Sequence, residues 1–284
     1  ALGIAPADVV VASTGVIGQV LDLTPIAGGM EALVAGLSVP GAADAAQAIM
    51  TTDTCPKAVA VEFEIGGKQC RMGGVAKGSG MIHPNMGTML CFITTDCAIT
   101  HELLQEALHE IVPRTFNRVT VDGDTSTNDM VSVLANGMAG NSEITSADSE
   151  AFKIFMKALN TVTVYLCQQI AGDGEGATKR IECAVSGAVD VATAKTVAKS
   201  VICSSLTKAA MFGADANWGR VLCAIGYSGA AVDVTKIDVA FQSAKGIIPV
   251  CQNGAGVDFS EEKAKEILLE SEIEILVNLN SGEV

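Results

Sequence analysis

The residues of this chain best suited to chemistry sit at one junction, Gly87-Thr88, within residues 73–100, GGVAKGSGMIHPNMGTMLCFITTDCAIT. The first half of that stretch is rich in glycine and runs through His83-Pro84-Asn85, whereas Thr88 to Thr95 is apolar and β-branched. The pattern is that of a flexible loop feeding a buried strand. A glycine carbonyl has no side chain shielding it, and glycine adopts strained backbone angles at little cost. The hydroxyl that follows can attack that carbonyl and break the peptide bond. The new chain then begins with a threonine whose own α-amine serves as base for its hydroxyl. An amine with a pKa of roughly 7.7–8 suits that task near neutrality far better than a lysine at about 10.4. By residue type alone, the same junction reads first as an ordinary loop entering a strand.

A threonine nucleophile needs an oxyanion hole and a hold on its substrate. Lys77 lies eleven residues earlier in the glycine-rich stretch, where an ammonium would steady an anion or a substrate carboxylate. Thr14-Gly15 follows the apolar run Val9 to Ala12 and would offer a hydroxyl and backbone N–H donors at a strand's end. One such donor is often worth about 3–4 kcal/mol to a tetrahedral intermediate. Taken singly, Lys77 reads as a solvated loop lysine and Ser13-Thr14-Gly15 as a turn. His83 titrates in a range suited to a base, although support of its loop explains it as well. Asn128, Asp129, Asn217 and Arg220 are polar residues at loop ends and read as loop-fixing. Nine cysteines form no C-x-x-C pair and no Cys/His metal spacing, and Cys91, Cys167, Cys183, Cys203 and Cys223 lie among apolar neighbours.

The run AKGSGMIHPNMGTMLCFITTD resembles the cleavage region of the ornithine acetyltransferase family, the bifunctional glutamate N-acetyltransferases of arginine biosynthesis. Further similar stretches are VVVASTGVIGQ (9–19), AIMTTDT (48–54), DGDTSTND (122–129), GEGATKR (174–180) and FGADANWGRVL (212–222), in the family's order and over almost the whole chain. The resemblance implies that Thr88 is both the autoproteolysis site, with Gly87, and the nucleophile. It assigns the oxyanion hole to Thr14 and Gly15, and substrate binding to Thr51, Lys77, Thr88 and Glu175. Glu175 would pair with the cationic amine of an ornithine-like ligand. The implied reaction moves acetyl from N2-acetylornithine to glutamate through acetyl-Thr88. It needs no metal or bound cofactor, with acetyl-CoA as an optional co-substrate. An α-chain part (1–87) and a β-chain part (88–284) would form one compact catalytic unit and assemble as α2β2, and the polar stretch 137–149 is read as a lobe boundary within it. Family members also carry an upstream Asn-Ala-Cys-Thr-Gly stretch and closing Asn and Thr/Ser contacts, so the sequence reads as cropped at both ends with an incomplete pocket. The competing readings are an N-terminal-nucleophile aminopeptidase that passes the acyl group to water, and a catalytically incomplete relative that keeps only the fold.

Composition narrows the classes. At 284 residues, 49% hydrophobic and 18% charged, the chain has ample material for a core. Mean hydropathy is +0.40. No window reaches the ~18 uninterrupted apolar residues that a spanning helix needs, and no basic secretory n-region opens the sequence. Eighteen Lys and Arg against 32 Asp and Glu give −14, the wrong sign for a nucleic-acid footprint. Small-molecule substrates and a reducing cytoplasm are expected instead.

These residues must be held by an α/β framework of layered mixed sheets flanked by helices, the ornithine acetyltransferase and aminopeptidase-like architecture. Strands are predicted over 8–12, 58–65, 69–72, 88–95, 118–121, 130–135, 179–189, 237–242, 247–251 and 273–279. Helices are predicted over 31–37, 42–50 and 101–111, the last capped by Thr100, and over one long segment from about 150 with Phe152, Phe155, Leu159, Val162 and Leu166 on one face. A further helix is predicted over 192–211 with Leu206 on its inner side, and another from the Ser260 cap to Leu269. Residues 137–149 read as a linker.

Overall fold

The computed structural model describes residues 2–83 and 89–284. The chain divides into two compact units, residues 1–175 and 176–284. The division follows the long helix. Residues 137–149 lie inside the first unit, where Asn141 and Ile144 are buried and the Asn141 amide bonds Ala98 and Ser142.

In the first unit, α1 (Thr24–Ala35) and α2 (Gly41–Ala48) precede a four-stranded sheet in the order β1-β2-β3-β4. β1 (Lys57–Ile65) and β2 (Lys68–Lys77) form a hairpin through Gly66 and Gly67, which both take positive φ and suit the tight turn. β3 (Leu90–Thr95) pairs antiparallel with β2, and β4 (Met130–Ala135) pairs parallel with β3 across α3 (His101–Ile111). Thr100 caps α3 by accepting the Leu103 N–H. α4 (Glu150–Gly172) covers β1 and β2 with Phe155, Leu159, Val162 and Leu166, all fully buried. Phe155 meets Phe63 edge-on at 6.4 Å.

β2 runs five residues beyond the strand predicted over 69–72. A Cβ on Gly74 would lie 3.0 Å from Leu166 Cδ1 and from Val162 Cγ1, so glycine is what lets α4 press onto the strand. The glycines of 73–77 thus belong to a ladder, and the loop begins at Gly78.

Two expected strands are absent. Residues 8–12 form no strand: Pro6–Asp8 is a 3₁₀ turn, and Val9, Val10 and Val11 are 45%, 56% and 77% exposed. No described strand pairs with this run, and an apolar stretch without a ladder partner has no reason to form one. Residues 118–121 form no strand either: Arg118 ends a 3₁₀ turn (Phe116–Arg118), 119–121 are irregular, and the Val121 N–H is donated to Ile82 O.

The second unit holds a five-stranded sheet in the order β5-β9-β6-β7-β8. Its strands are β5 (Arg180–Ser186), β6 (Asp238–Ser243), β7 (Gly246–Gln252), β8 (Ala255–Gly256) and β9 (Glu272–Asn278), and only the β5–β9 pairing is parallel. The helix expected over 192–211 is two, α5 (Val191–Cys203) and α6 (Ser205–Phe212). Ser204 leaves the helical region between them and caps α6 through the Thr207 N–H. That break turns Leu206 outward, 58% exposed. α7 (Trp218–Gly226) starts at the Asn217 cap, and α8 (Glu261–Leu268) starts at the Ser260 cap and lies against β6 and β7. Val197, Val201, Phe241, Ile275 and Val277 lie in this unit's own core. Both units are mixed sheets flanked by helices, as expected.

Candidate active site

Three strands of the first unit bring their ends together. Lys77, the last residue of β2, pairs with Leu90, the first of β3, and Leu90 pairs with Met130, the first of β4. Gly87 and Thr88 lie outside the described residues; Met89 and Leu90 follow Thr88 directly in the chain.

Lys77 is only 3% exposed and donates to Thr51 Oγ1 at 2.7 Å. Two of the predicted substrate-binding residues therefore meet. The Lys77 ammonium also lies 3.9 Å from Asp53 Oδ2. Burial pushes the Lys77 pKa down, Asp53 pulls it back up, Lys57 pushes it down and Asp129 pulls it up.

Asp53 organises this corner. Its Oδ1 accepts from Lys57 Nζ at 2.7 Å and from the Gly78 N–H at 2.7 Å, and its Oδ2 accepts from the Thr51 N–H at 3.2 Å. Lys57, 1% exposed, donates also to Asp173 Oδ2 at 2.5 Å. Asp173, just past α4, accepts from the amide and the hydroxyl of Thr54. Burial pushes both carboxyls up, but Lys57 and the surrounding N–H and O–H donors outweigh it and hold each below the usual aspartate value. Sequence reasoning missed Asp53, Lys57 and Asp173. One signal was available: Lys57 shares strand parity with Val59, Val61, Phe63 and Ile65, so a lysine stood on the apolar face of β1.

Glu175 joins the same corner through its main chain. Its N–H donates to Ser79 O at 2.9 Å, and Ser79 Oγ donates to Asp173 O at 2.8 Å. The Glu175 carboxylate lies over Gly80 so closely that any Cβ there would collide with it. Beyond Gly80 the loop is tied to residues 120–125: Asp122 accepts from the Met81 and Ile82 N–H groups, and Thr125 donates to His83 O. His83 Nδ1 lies 3.0 Å from Thr120 Oγ1, consistent with loop support.

Asp129, read from sequence as loop-fixing, does bond main chain: its Oδ1 accepts from the Met89 N–H at 2.8 Å. Burial raises its pKa to about 6, with the Met89 N–H and Lys77 pulling the other way. Thr14 is half-buried and Gly15 exposed, both in irregular chain, and among the described residues no hydrogen bond joins them to the Lys77 corner. Asn217 and Arg220 are in the second unit, where Asn217 caps α7 and Arg220 Nη1 donates to Leu206 O. No group of three or more metal-ligating side chains occurs among the described residues.

The corner therefore offers a buried ammonium, a hydroxyl and carboxylates around the start of β3, charges of both signs within one small region. The sequence model of the ArgJ family matches residues 1–284. The arginine biosynthesis bifunctional protein ArgJ of Symbiobacterium thermophilum is 51% identical over 283 residues, covering 100% of this chain and 69% of that protein. Its counterpart in Caldanaerobacter subterraneus subsp. tengcongensis is 51% identical over 276 residues, 97% of this chain and 68% of that protein. The crystal structure of arginine biosynthesis bifunctional protein ArgJ from Bacillus halodurans superposes with a TM-score of 0.63 at 48% identity, over 67% of this chain and 87% of that one. With a match from end to end, relatives at half identity and a shared fold, this chain belongs to the ArgJ family.

Proposed function

We propose that the chain is a glutamate N-acetyltransferase of arginine biosynthesis, moving acetyl from N2-acetylornithine to glutamate. The observation that carries this reading is the Lys77–Thr51 pair at the sheet end where the strand after Thr88 begins, in a chain that matches the ArgJ family throughout. Thr88, freed by cleavage after Gly87, is the nucleophile. Its α-amine takes the Oγ proton as Oγ bonds the acetyl carbon of N-acetylornithine. The oxyanion is received at Thr14 and Gly15. As the C–N bond breaks, the same proton passes to the departing ornithine amine. Glutamate's amine then attacks acetyl-Thr88, the ester C–O bond breaks, and the proton lost by the attacking nitrogen returns to Oγ through the α-amine.

Lys77 and Thr51 hold the substrate's carboxylate end, and Glu175 pairs with its free ammonium. The bifunctional name of the relatives supports acetyl-CoA as a second acetyl donor. Nine cysteines that form no disulfide suit a reducing cytoplasm, and no described helix is long and apolar enough to cross a membrane. The two cleaved chains pair as α2β2 in this reading. The test is product analysis with N-acetylornithine as donor: N-acetylglutamate formed only when glutamate is present supports transfer, whereas free acetate formed at the same rate without glutamate overturns it in favour of hydrolysis.

A further inference from the structure

Lys57 is a fully buried cation to which the reaction above gives no part. Its ammonium reaches three acceptors: Asp53 Oδ1 at 2.7 Å, Asp173 Oδ2 at 2.5 Å and Cys55 O at 3.5 Å. An ammonium has three protons, so none is left for a ligand. Lys77 differs, since among the described residues its hydrogen bond goes to Thr51 Oγ1 alone. Burying a lysine between two aspartates is seldom the most stable choice, because well-packed apolar side chains of similar volume often do as well or better. What such a cation adds is direction: it holds two carboxylates at hydrogen-bond distance from one point.

Those two carboxylates lead to the two charges assigned to the substrate. Asp53 accepts the Thr51 N–H at 3.2 Å and the Gly78 N–H at 2.7 Å, and Gly78 directly follows Lys77. Asp173 stands two residues before Glu175. Its carbonyl accepts from Ser79 Oγ at 2.8 Å, and Ser79 O accepts the Glu175 N–H at 2.9 Å. The strap that leaves Lys77 is thus pinned at Gly78 by Asp53 and at Ser79 by the Asp173–Glu175 turn. It ends at Gly80 under the Glu175 carboxylate, where a Cβ would collide. We propose that Lys57 is a positioning residue for substrate specificity. By tying Asp53 to Asp173 it fixes the span between the Lys77 ammonium and the Glu175 carboxylate, resting on the reading above of those two groups as substrate-binding. That span selects the length of a diamino acid whose carboxylate meets Lys77 while its side-chain ammonium meets Glu175. One methylene fewer or more leaves one of those charges without its partner.

The test is calorimetric titration with ornithine, diaminobutyrate and lysine, alongside acetyl transfer from N-acetylornithine, in the wild type, Lys57→Met, Asp173→Asn and Lys57→Arg. The wild type should bind ornithine about tenfold or more tighter than either homologue. In Lys57→Met and Asp173→Asn that preference should shrink to within about threefold, and Lys57→Arg should recover part of it. A ratio of affinities does not depend on the fraction of protein that is folded, so a loss of stability alone leaves it unmoved. An unchanged preference in the folded variants overturns the proposal, and acetyl transfer by the wild type then leaves the transferase reading standing. A wild type that prefers ornithine yet transfers no acetyl, with the preference lost in the variants, supports the proposal and overturns that reading. A wild type that binds the three alike, or none of them, overturns the proposal. If Lys57→Met does not fold, Asp173→Asn, which keeps the side chain's shape, decides alone.

Discussion

Lys77 works, on this account, because other charges decide where it sits and what it carries. The Asp53 carboxylate lies between the two lysines, bonded to Lys57 and 3.9 Å from Lys77, and its remaining bonds go to the Gly78 and Thr51 main chain. Removing Lys57 leaves Asp53 and Asp173 buried without their shared cation. Lys57→Met should therefore cost about 3–5 kcal/mol in denaturant unfolding at neutral pH. The pH dependence follows from the directions of the shifts. Asp53 and Asp173 have folded-state pKa values below 3.8, so their contribution is present above that value and is lost as pH falls through the folded ones. Asp129 has the opposite sign: raised from 3.8 to about 6, it lends stability below 3.8 that is lost as pH rises through about 6. Thermal melts of Asp129→Asn should thus show a gain over wild type that is larger at pH 8 than at pH 4. An equal gain at both would contradict the raised carboxyl. At the nucleophile, Thr88→Ala should abolish cleavage and transfer, and Thr88→Ser should keep part of both because the hydroxyl remains. An active Thr88→Ala protein would remove Thr88 from the mechanism.

At the scale of elements, the strand that ends in Lys77 depends on a glycine three residues before that lysine. Gly74 lets Val162 and Leu166 of α4 lie against β2. Gly74→Val should destabilise by about 1–3 kcal/mol, and a compensating Leu166→Ala should relieve part of that loss in a double-mutant cycle. An additive cycle would contradict the close approach. Elements governed by local rules were legible in the sequence. The 101–111 helix carries its Thr100 cap, β4 matches 130–135, and the α4 stripe from Phe152 to Leu166 is buried as its spacing predicts. Elements decided by tertiary partners were not. Gly73 and Gly74 look like loop residues until α4 is laid over them, Val9 to Val11 look like a strand until a pairing partner is sought, and Ser204 divides a continuous helical pattern by one capping bond.

For the whole molecule, the two units each close a core around their own mixed sheet, and the Lys77 corner lies in the first. Lys77, Thr51 and Glu175 were named from the sequence because they fall in stretches that resemble the family. Asp53, Lys57, Asp173 and the orientation of Asp129 were not, because buried ion pairs between positions as distant as 57 and 173 leave almost no local trace. The central claim is that Thr88 carries the acetyl group. Its most direct test is acid-quenched mass analysis of the protein after brief exposure to N-acetylornithine without glutamate. The account predicts two polypeptides cut between Gly87 and Thr88, with one added acetyl group on the amino-terminal threonine of the second. An uncut chain, or transfer activity with the acetyl on any other residue, would contradict it.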